Sequence, residues 1–219
     1  MYTQLPPHTG TALTALLALQ HGVACNTAGG THHAHFDRGS GFCILNDLAT
    51  TARLLLATMP TTVSRVLIVD LDVHQGDGTA AILKDDPNIF TLSVHAGSNF
   101  PHRKQQSTLD VPLPDGVGDV EYLGTVARIL PEVLTSFRPD IVLYDAGVDT
   151  HVDDALGRLA MTDAGLMRRE LLVLDTCLGV GVPVAGYVGG GYHADLTVLA
   201  RRHCALHHAA KQLWKDHRL

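Results

Sequence analysis

The stretch Arg65-Val66-Leu67-Ile68-Val69-Asp70-Leu71-Asp72-Val73-His74-Gln75-Gly76-Asp77-Gly78 decides how this chain is read. Its first half is apolar without alternation, which suits a strand covered on both faces, as parallel sheets require. Its second half crowds three acids and a histidine at the end of that strand. In α/β sheets, sites form at the carboxyl ends of the strands. While the chain stays extended, Asp70, Asp72 and His74 point to one side. Polar groups there are costly without a cation or a partner. A capping turn, with Asp77 as N-cap of a helix over 78–84, explains part of Asp77. It leaves the other three without a reason.

Working outward, residues 23–26, 88–94, 140–144 and 183–188 read as further strands. Helical patterns cover 10–20, 46–58, 78–84, 120–134 and 162–178, and a final helix covers 195–217. Strand, crossover helix and strand in repetition predict a three-layer α/β/α fold with a mainly parallel sheet. The segment 29–41 is a loop rich in Gly, His and Ser, and 95–118 reads as a long connection with little structure of its own. Loops of that length are often functional. With no repeat, low-complexity tract or linker composition, residues 1–219 are expected to form one domain.

Composition narrows the function. Hydrophobic residues make up 46% and charged residues 17% of 219, so a globular chain with a sizeable core is expected. A net charge of −6 argues against a general phosphate-binding surface, and no direct nucleic-acid binding is expected. A basic peptide partner stays open. No apolar run is long enough to span a membrane, and no secretory signal is readable. The four cysteines form no CxxC pair, which makes a reducing cytoplasm the expected compartment, or the nucleus in a eukaryote. Fourteen histidines suggest metal or proton chemistry, subject to position.

Position supplies the rest. The strand over 140–144 leads into Asp145-Ala146-Gly147-Val148-Asp149, and Asp149 is the natural third ligand beside Asp72 and His74. Two carboxylates and an imidazole neutralise a divalent cation and leave a position open. That suits catalytic Zn²⁺, with Fe²⁺, Mn²⁺ or Co²⁺ as substitutes. His151 and Asp153 read better as a solvated loop. The segment Gly29-Gly30-Thr31-His32-His33 places adjacent histidines after a strand, and Asp70 and Asp77 are spare carboxylates that could each orient one imidazole. In Gly189-Gly190-Gly191-Tyr192-His193, the glycines permit close backbone approach at Gly190, and Tyr192 could bring a phenol beside the metal.

The motifs GGTHHAH, SGFCILND, VDLDVHQGDGT, AGVDTHVDDALGRLAMT and GGGYH, in that order, resemble the histone deacetylase family of the arginase/deacetylase superfamily. Class IV and related bacterial deacetylase-like proteins are the most similar. The resemblance runs from about Thr9 to the last helix and implies the arginase/deacetylase fold. It implies Zn²⁺ on Asp72, His74 and Asp149, and His33 as general base and then general acid. It puts His32 beside His33 as an electrostatic or relay partner, with Asp70 and Asp77 behind the two imidazoles, and makes Tyr192 the oxyanion donor. Phe42 and Phe100 would wall the acyl-lysine slot, with Gly41 and Gly190 keeping room for substrate. Asp70, Asp72, His74, Ser93 and Val94 match the family's inner K⁺ site, mostly through backbone oxygens. The implied substrate is an acylated lysine in a protein or peptide, or a small acylated amine.

The family normally carries a further N-terminal segment that supplies two strands and part of the channel rim, whereas Met1 falls just before the first matching helix. The expectation is a complete catalytic set on a shortened scaffold, from a truncated gene model or an internal start, with the strand ending at Asn26 as a new edge. Two other readings stand beside the hydrolase: a non-catalytic module that binds acylated ligands, and a binuclear arginase or agmatinase-like enzyme. The latter wants DxHxD, and position 76 is Gly. His203, His207 and His208 read as a solvated helix face and Cys43 as a small buried hydrophobe; Arg103 and Lys104 could meet a substrate carboxylate or peptide backbone, but exposed loop charge is the default reading. His95 ends a strand near the cluster and is given no role.

Overall fold

Each apolar run becomes a strand in the computed structural model, which describes residues 8–219. In chain order the elements are α1 (His8–His21), β1 (Val23–Asn26), α2 (Asp47–Thr58), β2 (Val66–Asp70), α3 (Asp77–Leu83) and β3 (Ile89–Ala96). There follow β4 (Leu109–Leu113), α4 (Asp119–Phe137), β5 (Ile141–Asp145), α5 (Asp163–Gly179), β6 (Val184–Tyr187) and α6 (Leu196–Asp216). The strands lie in the order β1-β6-β5-β2-β3-β4, and every pairing is parallel. A mainly parallel sheet was expected; among the described residues it is wholly so.

The expectation of an unstructured connection over 95–118 is corrected by β4. The signal is weak because Leu-Asp-Val-Pro-Leu carries Pro112, which cannot donate to a ladder. A strand with Pro is tolerated at an edge, and β4 is the sheet edge beyond β3. β1 forms the other edge among the described residues, as anticipated for the strand ending at Asn26. Met1, on which the shortened-scaffold expectation rests, lies outside the described residues.

Successive strand residues face opposite ways, and the core divides accordingly. Leu67, Val69, Val142 and Tyr144 pack under α4, α5 and α6. Val66, Ile68, Ile141 and Leu143 pack under α1, α2 and α3. That gives the three layers.

Helix starts follow ordinary capping chemistry. Asn46 accepts from Ala49 N at 2.9 Å, Thr162 from Gly165 N at 3.0 Å, and Asp195 from Thr197 N at 2.8 Å. Two helices depart from this: α4 is capped by Gly118 and α3 by Gly76 rather than Asp77, and neither glycine makes a side-chain capping bond. Asp77 is the first helical residue, and its carboxylate is used elsewhere.

One acid pins the start of β2 to the start of β5. Asp140 accepts from Ser64 N at 2.7 Å, Ser64 Oγ at 2.9 Å and Arg65 N at 2.9 Å. Partial burial disfavours its charge, but these hydrogen bonds outweigh that and lower its pKa. A depressed carboxyl pKa stabilises the fold above the unfolded value, and the effect is lost as pH falls through the folded value. Asp140→Asn is therefore expected to cost about 1 kcal/mol at neutral pH. The gap to wild type in urea melts should close as pH drops below about 4. A gap independent of pH would contradict this account.

Candidate active site

The strand order reverses between β2 and β5: from β2 the chain moves outward to β3 and β4, then crosses back to β5 and β6. A crevice opens at such a switch point, outside the carboxyl ends of the strands. The register sets Asp70 opposite Asp145 on one side and Ser93 on the other, so both acid-bearing strand ends meet there.

Asp72, His74 and Asp149 come together just past these ends, all buried. His74 Nδ1 lies 3.0 Å from Asp72 Oδ1 and 3.1 Å from Asp149 Oδ2. Backbone amides fix both acids: Gly190 N donates to Asp72 Oδ2 at 2.8 Å, and Val73 N to Asp149 Oδ1 at 2.8 Å. Gly190 can only be glycine here, because a Cβ would collide with Asp149 Oδ2 and crowd Asp72 Oδ2. Asp149 Oδ2, although buried, has no aligned hydrogen-bond donor. Burial and the neighbouring Asp72 push the Asp149 carboxyl upward, while burial at His74 is outweighed by the two acids, which raise its pKa to about 10. Two buried acids converging on one imidazole, with an orphaned oxygen between them, fit a divalent cation.

The adjacent histidines face one cleft. Their Nε2 atoms are 3.1 Å apart, and each Nδ1 meets its own carboxylate: His32 reaches Asp70 Oδ2 at 2.8 Å, and His33 reaches Asp77 Oδ1 at 2.6 Å. Asp77 also holds His35 Nε2 at 3.1 Å. The two imidazoles are driven apart electrostatically. Burial lowers His33, reinforced by the neighbouring His32. At His32 burial is overcome by Asp70, Asp72 and Asp145, which raise it well above the ordinary value. The surroundings thus bias His33 toward the neutral imidazole and His32 toward the cation.

Above them is a cavity of about 370 Å³ lined by His33, His74, Gly41, Phe42, Phe100 and Tyr192, with Asn99 and Leu156 at its side. The Phe100 ring lies edge-on to His33, with centroids 4.9 Å apart, and the Phe42 ring lies 6.0 Å from that of Tyr192. Gly41 has φ 51°, and a Cβ there would strike the His33 ring, so glycine keeps the cavity open. Phe42 is 86% exposed, so it stands at the rim rather than in a closed wall. All twelve residues singled out for chemistry or substrate thus lie in or around one crevice.

Several readings change. His151, expected in a solvated loop, is buried, with Nε2 3.2 Å from Asp163, whereas Asp153 is solvated as expected, with its side chain 62% exposed. His203 and His207 are half-buried with both Nδ1 atoms unpartnered; of the three, only His208 fits a solvated face. Lys104 is not free loop charge: its Nζ donates to Asn99 O at 2.5 Å and Pro101 O at 2.7 Å, closing the loop beneath Phe100. His95 hydrogen-bonds Ser93 Oγ at 3.0 Å, and burial lowers its pKa to about 4.

Sequence reasoning missed two features. Asp145 ends β5 with both carboxylate oxygens unpartnered, against Gly30 and Gly189, and burial and Asp70 push its pKa well above the ordinary range. With His32 and Asp70 it forms a second group of donors close enough to share an ion, although His32 and Asp70 already engage each other. The other is Arg169, wholly buried on α5, whose Nη1 donates to Leu71 O at 3.2 Å and Thr150 Oγ1 at 3.1 Å. Position 76 also speaks to the binuclear reading. A Cβ there would collide with Asp70 Oδ2, so the acid that a DxHxD cluster needs has no room.

A three-layer α/β/α protein with a candidate metal centre at its switch point is the class that fold and site define. The histone deacetylase domain pattern matches residues 7–210, and the chain belongs to the histone deacetylase family. It is 58% identical over 205 residues to an uncharacterized protein of Picosynechococcus sp., covering 94% of this chain and 68% of that one. It is 35% identical over 201 residues to histone deacetylase 8 of Xenopus tropicalis, covering 86% and 52%. With histone deacetylase 2 of Arabidopsis thaliana the identity is 33% over 186 residues, covering 84% and 48%. The chain thus spans about half the length of these two named deacetylases. No helix among the described residues is long and apolar enough to cross a membrane.

Proposed function

We propose that this chain is a Zn²⁺-dependent hydrolase that removes an acetyl or acyl group from an acylated amine such as acetyl-lysine. The observation that carries this reading is the Asp72, His74 and Asp149 group beneath a slot flanked by His33 and Tyr192. These three would hold Zn²⁺, with Fe²⁺ as a substitute. Such an ion polarises an amide carbonyl and lowers the pKa of water from about 15.7 toward 7. An inner K⁺ near Asp70, Ser93 and Val94 belongs to the same reading.

The side chains do the remainder. Neutral His33 accepts the proton of the attacking water and returns one to the departing amine nitrogen. Asp77 fixes its Nδ1–H, so the proton moves at Nε2. His32, backed by Asp70, serves as an electrostatic or relay partner beside His33. Burial and the nearby Asp72 hold the Tyr192 phenol well above its ordinary pKa, so it stays protonated and donates to that oxyanion. Phe100 in the slot, with Phe42 at its rim, favours a neutral acyl-amine stem, because an ammonium in the slot would be desolvated beside a cation. In this reading residues 1–219 belong to one domain.

The test is a fluorogenic acetyl-lysine substrate with the Zn²⁺-loaded protein. Wild type is expected to turn over, with His33→Ala slower by about 10²–10⁴-fold. Tyr192→Phe should be slower by about 10²–10³-fold. If zinc binds and wild type is as inactive as both variants, the chain is instead a module that binds acylated ligands.

A further inference from the structure

A second, larger cavity of about 500 Å³ adjoins the slot. The two share the Phe100 ring, which lines both. Where the slot is aromatic, this neighbour is cationic. Arg38 approaches from the loop after the histidine pair, and His102 and Arg103 from the loop after the cis Phe100–Pro101 bond. His35 and Asp77 form its inner end.

The only carboxylate in that lining is already engaged, since Asp77 holds His33 at 2.6 Å and His35 at 3.1 Å. Arg38 has one competitor, Asp37 at 3.0 Å, but that pair is 61% and 71% exposed and so holds weakly. Arg103 is exposed and makes no ion pair among the described residues. Lys104, the other loop cation, is consumed by two backbone carbonyls, which anchor the loop and leave Arg103 facing the cavity. Two arginines from two loops therefore line one polar space that shares the Phe100 ring with the slot, and guanidiniums pair with planar carboxylates.

We propose that this cavity is a carboxylate subsite: it takes the anionic group of an N-acylated amino acid whose acylated amine lies in the slot. The inference deepens the deacylase reading and rests on it for the position of the amine. It names small acylated amino acids bearing a free carboxylate as the favoured substrates over neutral acyl-amines of equal length.

Two compounds test it, Nα-benzoyl-Nε-acetyl-lysine as the free acid and as its primary amide, with the released ε-amine followed by mass spectrometry. The acid is expected to show a KM about three- to tenfold lower, and the preference should shrink between about 0.05 and 0.5 M salt. Arg38→Gln/Arg103→Gln should remove the preference and leave the amide's KM unchanged, which a merely structural role of these loops would not do. Equal KM values in wild type, or a preference surviving the double variant, would overturn the subsite. If neither compound is hydrolysed, the deacylase reading fails, and calorimetric titration of the same pair decides the subsite. Tighter binding of the acid, lost in the double variant, supports it; equal affinities reject it.

Discussion

Asp149→Asn is expected to weaken Zn²⁺ binding by more than about a hundredfold and to reduce hydrolysis to background. It should do so without lowering the stability of the metal-free protein. The asparagine retains an oxygen to accept from Val73 N, so the loop after β5 keeps its anchor. What it loses is charge. In the metal-free protein Asp72 and Asp149 both lie within about 3 Å of one imidazole nitrogen and are wholly buried. Removing one charge relieves that crowding, so the apo variant should melt at or above the wild-type temperature. Adding zinc reverses the order, because a ligand that binds only the folded state stabilises by an amount set by its affinity. Competition with a chelating dye gives the affinity, and paired melts with and without zinc give the crossing. Wild-type zinc affinity in the variant would remove Asp149 from the ligand set.

Much of this centre is legible because strand and chemistry coincide in one short segment. The run from Val66 to Val69 reads as a doubly covered strand, and Asp72 and His74 follow it directly. The wholly parallel sheet then carries Asp149 to the same crevice, since β5 lies beside β2. Legibility fails where a residue's meaning depends on distant chain. β4 is hidden because Pro112 argues against a strand until one knows that the strand sits at an edge. His151 looks like loop chemistry until Asp163 and Asp153 are seen around it. Asp145 ends its strand as unobtrusively as Asp140 begins it. Only the neighbouring His32, Asp70 and Gly189 show that one acid is buried unpartnered while the other accepts three hydrogen bonds. The twelve site positions came from motif resemblance as much as from spacing, and spacing alone would have left Phe42, Phe100 and Gly41 unassigned.

Arg169→Met should be the most destabilising single change considered, and its size follows from what it strands. Arg169 is wholly buried, and its Nη2 and Nε donate to Glu170 Oε1 at 2.6 and 3.1 Å. The other Glu170 oxygen accepts from Tyr144 OH at 2.5 Å. Without the guanidinium, Glu170 is a lone buried carboxylate, and Leu71 O and Thr150 Oγ1 each lose a donor. Breaking a buried pair from one side costs about 3–5 kcal/mol, against a total stability of about 5–15 kcal/mol. For a chain of this length the melting temperature should fall by roughly 6–20 °C. Removing the pair as a whole is a different experiment. Arg169→Met/Glu170→Leu/Tyr144→Phe leaves no buried charge stranded in that cluster, although Thr150 Oγ1 still lacks its donor, and most of the stability should return. Zinc affinity should not return with it. Leu71 lies between Asp70 and Asp72, and Thr150 follows Asp149, so the guanidinium ties the backbone carbonyl beside one pair of acids to the side-chain hydroxyl next to the other ligand. Tyr122 OH, at 3.3 Å from Leu71 O, supports only one of them. The triple variant is thus expected to melt near wild type and still bind zinc about tenfold more weakly. A cost below about 1 kcal/mol for Arg169→Met in urea melts would contradict the stranded-charge argument. Full zinc affinity in the triple variant would show that the guanidinium supports the fold and leaves the ligand geometry to other contacts.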